Sequence, residues 1–298
     1  MDFGRLITAM VTPFDNEGNI DWTTTERLVE RLIVEEQTDS IVVAGTTGES
    51  PTLTHDEKLQ LFSFVLKQAA GRVKVIAGTG SNNTRDSIEL SQEAEKLGVD
   101  GLLLVAPYYN KPSQEGLYLH FKAIAESVKI PVVLYNVESR TAVNISVQTT
   151  LRLAQIPNVV ATKDCANLEQ LALIAAAAPD GFRVYSGDDS ATLPALAVGA
   201  HGIVSVASHI VGKELKKMIN SYITGDAANA AKLHQELLPT FKGLFNCPHP
   251  TPNPVPVKHA LALTGLPVGS VRLPLAPITE AEAAFVASLP PVQKRMQS

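Results

Sequence analysis

Short apolar runs, many of them β-branched, alternate with longer stretches of helical period over most of the chain. Eight such runs stand at residues 6–11, 40–44, 73–77, 101–105, 132–135, 159–162, 182–186 and 202–206. They are apolar at nearly every position, not at every second one, so neither face of these strands would meet water. Strands of that kind belong to parallel sheets covered by helices. The intervening periodicity predicts helices over 23–36, 55–70, 84–97, 114–127, 147–155, 168–178, 191–198 and 213–224. Eight strands, each followed by a helix, predict an α/β fold, a closed (β/α)8 TIM barrel, with an open doubly wound sheet as the alternative.

Local signals agree with these boundaries. Thr54 stands as an N-cap before His55-Asp56-Glu57, and Gly98 follows the helix that closes at Leu97. Past about Gly225 helices follow without strands, over 227–244, 257–263 and 279–289, with a proline-rich stretch at 248–256. Residues 1–225 are therefore read as the barrel and 226–298 as a helical C-terminal extension. The prolines stop any helix and fix a chain path. Residues 290–298 are expected to fray as a tail.

Composition narrows the function classes. The chain has 298 residues, 45% apolar and 18% charged, with 25 basic and 30 acidic side chains and a net charge of −5. An acidic balance of this kind disfavours a phosphate backbone as partner, so no nucleic acid is expected. The longest purely apolar run, 171–178, is far shorter than the ~20 residues that cross a bilayer, and Asp2 and Arg5 interrupt the start of the chain where a signal peptide would be apolar. A cytoplasmic protein without a membrane partner is the expectation. Two cysteines, Cys165 and Cys247, lack metal-type spacing and fit a reducing compartment.

In a barrel of this kind the chemistry gathers at the carboxyl ends of the strands. Polar and titratable groups do collect there: Gly45-Thr46-Thr47-Gly48-Glu49-Ser50, Tyr108-Tyr109-Asn110, Tyr135-Asn136, Lys163-Asp164 and Gly187-Asp188-Asp189. Lys163 ends an apolar strand, where it either snorkels to solvent or points into the barrel mouth. A desolvated lysine loses its proton more readily and becomes an amine nucleophile toward a carbonyl. At a pKa of ~10.4 only about one lysine in 2,500 is neutral at pH 7, so a shift to ~7–8 changes the reactive fraction greatly. Tyr135 and Tyr109 are phenols that could move protons at such a centre, and Thr47 could link them.

The Gly45–Gly48 turn offers hydroxyls and N–H groups suited to a carboxylate, or is simply a tight strand-to-helix turn. Asp188 and Asp189, at the seventh strand, disfavour a phosphorylated substrate. His201, His209, His249 and His259 show no ligand spacing, Cys165 reads as a buried inert thiol, and Gly78-Thr79-Gly80 is too short for a dinucleotide loop. Neither metal nor organic cofactor is expected.

Five ordered segments resemble the dihydrodipicolinate synthase family: Gly45-Thr46-Thr47-Gly48-Glu49-Ser50, the run from Tyr108 to Gly116, Leu134-Tyr135-Asn136-Val137, Thr162-Lys163-Asp164 and Ser186-Gly187-Asp188-Asp189. The resemblance covers most of the chain. It implies a class I aldolase barrel, within the N-acetylneuraminate lyase superfamily, that condenses pyruvate with L-aspartate semialdehyde in lysine biosynthesis. On that resemblance Lys163 forms the pyruvate Schiff base, Tyr135 donates and accepts protons, and Thr47 and Tyr109 complete a relay, Tyr109 arriving from a neighbouring subunit. Thr46 and Thr47 hold the pyruvate carboxylate, the backbone carbonyl of Ile203 faces the site, and Arg140 receives the carboxylate of the semialdehyde. The assembly implied is a homo-oligomer, a tetramer of tight dimers.

Two positions depart from the family pattern. Glu138 stands where the family usually has proline, which frees the loop before Arg140 and leaves the second substrate less fixed than the first. Lys58 stands where relatives inhibited by lysine tend to carry a histidine, in a region that also includes Ser50, His55, Asn82, Asp86 and Tyr108, and weak feedback inhibition is expected. Related barrels apply the same pyruvate chemistry to ketodeoxygluconate or N-acetylneuraminate, and a barrel that only binds a keto acid is a further alternative.

Overall fold

The computed structural model describes residues 2–297. Its strands are β1 (Leu6–Ala9), β2 (Ser40–Val43), β3 (Lys74–Gly78), β4 (Gly101–Val105), β5 (Val132–Asn136), β6 (Val159–Asp164), β7 (Arg183–Ser186) and β8 (Gly202–Ser205). They close into a barrel in chain order, all parallel, with Leu6 of β1 opposite Ile203 of β8. The closed form, and not the open sheet, is thus the one adopted.

The surrounding helices are α1 (Trp22–Val34), α2 (His55–Ala69), α3 (Thr84–Leu97), α4 (Gln114–Glu126), α5 (Glu138–Thr141), α6 (Val147–Leu153), α7 (Leu168–Ala177), α8 (Thr192–Ala197) and α9 (Ser208–Ile223). Thr54 and Glu57 form a reciprocal capping box at the start of α2, and Gly98 ends α3 at φ +89°.

Side-chain alternation divides the apolar residues into two layers. Ile7, Val42, Ile76, Leu103, Val133, Ala161 and Val204 fill the barrel, whereas Leu6, Ile41, Leu102, Leu134 and Ile203 pack outward against Leu28, Leu61, Phe121 and Leu215 of the helices. This explains why the strand sequences are apolar at consecutive positions. Each fully buried Leu or Ile contributes about 1.5–3 kcal/mol, relative to exposure, to holding helices against strands.

Several details differ from the sequence reading. One is the helix Val255–Leu263, which begins inside the proline-rich stretch with Pro256 in its first turn, so these prolines do not stop every helix. Strand β6 runs two residues past the apolar stretch, because Lys163 and Asp164 continue the ladder opposite Tyr135 and Asn136. The short helix α5 follows β5 directly, and α9 begins five residues before the expected 213, across a kink at Val211. The expected frayed tail is the largest correction.

After α10 (Ala227–Gly243), α11 (Val255–Leu263) and α12 (Glu280–Ala287), residues Pro290–Met296 form α13. Proline is favoured in a first helical turn, where its missing N–H costs nothing, so Pro290-Pro291 starts this helix and does not prevent one. Val292 is fully buried, and Arg295 pairs with the buried Glu36 at 2.6 Å. Ser298 lies outside the described residues. No helix among the described residues is long and apolar enough to cross a membrane.

Candidate active site

Strand register sets the geometry of the site. Tyr135 of β5 lies opposite Lys163 of β6, and both face the barrel interior above Val133 and Ala161. Lys163 is only 5% exposed, and its Nζ lies 4.2 Å from the centroid of the Tyr135 ring. Among the described residues no carboxylate pairs with that Nζ. The amine therefore faces a cavity instead of an ion-pair partner, which rules out the snorkelling alternative.

Room for Lys163 depends on Gly187, just past β7. A Cβ there would stand 2.3 Å from Cys165 Sγ and 3.0 Å from Lys163 Cε, so any larger residue must displace the lysine stem or its neighbour. Cys165 itself lines the cavity, but burial pushes its thiol up to about 11, leaving it protonated and inert at neutral pH.

The turn after β2 brings the two threonines to the rim. It opens at Ala44 and closes at Glu49, both with positive φ, and Thr12 Oγ1 donates to Gly48 O at 2.7 Å. Thr47 is 2% exposed, while Thr46 is half-buried. Glu49 anchors the turn from below through a buried ion pair with Lys258 of α11 at 2.6 Å and by accepting the Arg272 N–H at 2.9 Å. Burial lowers Lys258 to about 8 despite the carboxylate beside it. Removing either partner would strand a buried charge, at a cost of about 3–5 kcal/mol.

These groups line a cavity of about 320 Å³ together with Arg140, Asp188, Lys242 and Asn253. Arg140 and Lys242 place two cations around it, beside the Lys163 amine, against the single Asp188 carboxylate, a balance suited to an acidic substrate. Arg140 sits exposed on α5, and among the described residues it makes no ion pair, with Glu138 or any other carboxylate. Asp189 does not share the site. It is buried, accepts from Ser205 Oγ and from the Val206 and Ala207 N–H groups, and so fixes the end of β8. Desolvation raises its pKa, as it does that of Asp164, which is held by Asn136 and Gln170.

Two of the expected residues stand apart. Tyr109 is 90% exposed on a backbone with φ 75° and does not line this cavity. Ile203 packs outward into the helix layer, so only its backbone can serve the barrel mouth. A second cavity of about 380 Å³ shares Thr46, Tyr135 and Arg140 with the first and extends to Ser50, Lys58 and Tyr108. Lys58 is half-buried there, and desolvation lowers its pKa. Asn82 Nδ2 donates to Tyr108 O at 3.1 Å, Asp86 is exposed, and His55 lies against Glu93.

The family model described as the dihydrodipicolinate synthetase family matches residues 2–289. The chain belongs to the dihydrodipicolinate synthetase family. Within this family it is 57% identical, over 97% of its own length and 98% of the relative's, to a 4-hydroxy-tetrahydrodipicolinate synthase of Bacillus subtilis. It superposes on the crystal structure of a dihydrodipicolinate synthase from Bacillus anthracis with a TM-score of 0.93 at 54% identity, over 100% of this chain and 99% of that one. A family member from Acinetobacter baumannii, solved in complex with pyruvate, matches with a TM-score of 0.93 at 40% identity over 99% of each chain.

Part of the dihydrodipicolinate synthetase cavity wall lay outside the sequence reading. Phe241, Lys242, Phe245 and Asn246, from the end of α10 and just beyond, close one side of the mouth, and Asn253 enters from the proline-rich segment. The proline-rich stretch does fix a chain path, and it also delivers one side chain to the site. A lone buried-capable amide between Pro252 and Pro254 was the available signal.

Proposed function

We propose that this chain condenses pyruvate with L-aspartate semialdehyde to give 4-hydroxy-tetrahydrodipicolinate, a step of lysine biosynthesis, as a class I aldolase-type lyase. The observation that carries the reading is the unpaired Lys163 amine, buried on β6 against Tyr135 and open to a cavity rimmed by Thr46 and Thr47.

The chemistry follows from the placement. The neutral Lys163 amine adds to the keto carbon of pyruvate, and loss of one water gives a protonated imine. That imine accepts the electron pair left when a methyl proton departs, and the resulting enamine attacks the aldehyde carbon of the second substrate. Attack of the substrate amine on the imine carbon then closes the ring and frees Lys163, so one water is lost overall. Tyr135 handles protons at the carbinolamine, and Thr47 passes them on toward Tyr109. Thr46 and Thr47 hold the pyruvate carboxylate, the Ile203 carbonyl borders the site, and Arg140 grips the second carboxylate with two parallel hydrogen bonds.

The exposure of Tyr109 supports its use by a second copy of the chain, and the assembly is a homotetramer of tight dimers in the cytoplasm. In this reading the barrel of residues 1–225 carries the reacting groups and the extension of 226–298 walls them. Lys58 sits where an incoming lysine would have to place its ammonium beside Ser50, Tyr108, Asn82, Asp86 and His55, so feedback inhibition is weak. Turnover assays with pyruvate and either aspartate semialdehyde or sugar-derived aldehydes test the reading. Preference for aspartate semialdehyde is expected; preference for a sugar aldehyde would assign the chain to the sugar-acid aldolases, and no turnover with any would make it a binder.

A further inference from the structure

Asn253 stands between Pro252 and Pro254, where the extension folds over the barrel mouth, and it is 5% exposed. Its Nδ2 donates to Thr47 Oγ1 at 2.9 Å, while its Oδ1 is buried with no hydrogen-bond partner among the described residues. Both flanks are held. Thr251 N donates to Phe245 O at 3.0 Å and its Oγ1 to Glu282 at 3.2 Å, and on the other side Lys258 pairs with Glu49 at the end of the Thr46-Thr47 turn. The amide and the ion pair therefore tie the same two segments together.

A hydroxyl carries one proton and two lone pairs. By accepting from Asn253, Thr47 has one lone pair committed on the extension side, and its own proton must point elsewhere. The open direction is the cavity that Thr47 lines with Tyr135 and Lys163. An orphaned buried oxygen costs free energy that an apolar side chain of similar size would not. The amide is thus a poor choice for stability and a good one for orientation.

We propose that Asn253 is a positioning residue, which acts through Thr47 by turning that hydroxyl into a donor aimed at the reacting centre. The proposal rests on the Schiff-base reading given above. It also assigns a role to the extension, which would otherwise serve only as a wall.

The test is a double-mutant cycle of Asn253→Leu and Thr47→Val, with kcat and the KM for pyruvate measured separately and melting followed in parallel. In the otherwise unchanged chain Asn253→Leu should lower kcat about tenfold, the worth of roughly one hydrogen bond, with melting unchanged or raised. In the Thr47→Val background it should lower kcat no further. Equal losses in both backgrounds, or an unaltered kcat in the single variant, would overturn the proposal. If the leucine variant gives no cooperative melt, Asn253→Ala replaces it in the same cycle with the same two criteria. Borohydride trapping of pyruvate by the unmodified chain keeps the two readings separate, since absence of a Lys163 adduct there would count against the Schiff base and not against the coupling.

Discussion

The inner and outer parts of the site are built differently. Lys163 and Tyr135 are carried by neighbouring strands, buried, and locked in register, with Thr47 pinned beside them by Asn253. Arg140, Lys242 and Tyr109 lie on a four-residue helix, a helix end and a loop, and all three are exposed. Strand-borne groups keep their geometry without substrate, which suits a step common to every turnover. Groups on exposed elements adjust, which suits recognition of a second, variable partner. On the proposed reading the pyruvate half of the reaction is thereby preorganised, and the semialdehyde half depends on exposed rim groups.

Damage to the inner part should cost most. Gly187→Ala forces a carbon against Cys165 Sγ and the Lys163 stem. A displacement of about 1 Å at a reacting group lowers kcat by roughly 10²-fold, and that is the expected loss. Adding Cys165→Ala should recover part of it, because the closer of the two clashes is with sulfur. A Gly187→Ala enzyme of normal kcat would show that the inner part is not rigid.

Water exclusion below the mouth offers a second measure of rigidity. His209 is fully buried, accepts from Val11 N at 3.1 Å through Nε2 and donates from Nδ1 to Val206 O at 2.8 Å. Burial lowers its pKa from 6.5 to about 4. The unfolded chain takes up this proton as pH falls below 6.5, the native one only near 4, so the neutral ring contributes stability above 6.5 that is lost toward 4, about 3 kcal/mol in all. The buried carboxylates Glu36, Asp164 and Asp189 have raised pKa values and act in the opposite sense over this range. The ring is therefore best followed directly: its NMR resonances should not titrate between pH 8 and 5, and a midpoint near 6.5 would mean that water reaches it.

The outer part should give smaller and more selective effects. Arg140→Ala is expected to raise the KM for aspartate semialdehyde by roughly tenfold, the worth of a charge-assisted hydrogen bond, while leaving the pyruvate KM unchanged. A matching rise for pyruvate would place Arg140 in the inner part. The smallest change concerns regulation. Initial rates should respond weakly to lysine, and Lys58→His should increase that sensitivity a few-fold, because the half-buried Lys58 side chain would no longer oppose the incoming ammonium.

The same contrast explains what the sequence made legible. Apolar runs at consecutive positions gave the barrel, because strands buried on both faces have no other composition. Lys163 stood out because it follows such a run directly. By contrast Asn253 and Phe245 reach the mouth through tertiary packing of the extension, and no periodicity marks them. Gly187 was visible as part of a motif, yet its role depends on the Cys165 and Lys163 side chains from β6 and beyond, which only the closed barrel brings together. Helix α13 was hidden because prolines were weighed as stops, without regard to their fitness for a first turn.

The most direct measurement of the account is the site of covalent trapping. Borohydride reduction in the presence of pyruvate, followed by peptide mass spectrometry, should place the reduced adduct on the peptide that carries Lys163, with none formed by Lys163→Met. An adduct on a different lysine, or no adduct from a chain that turns over both substrates, would contradict it.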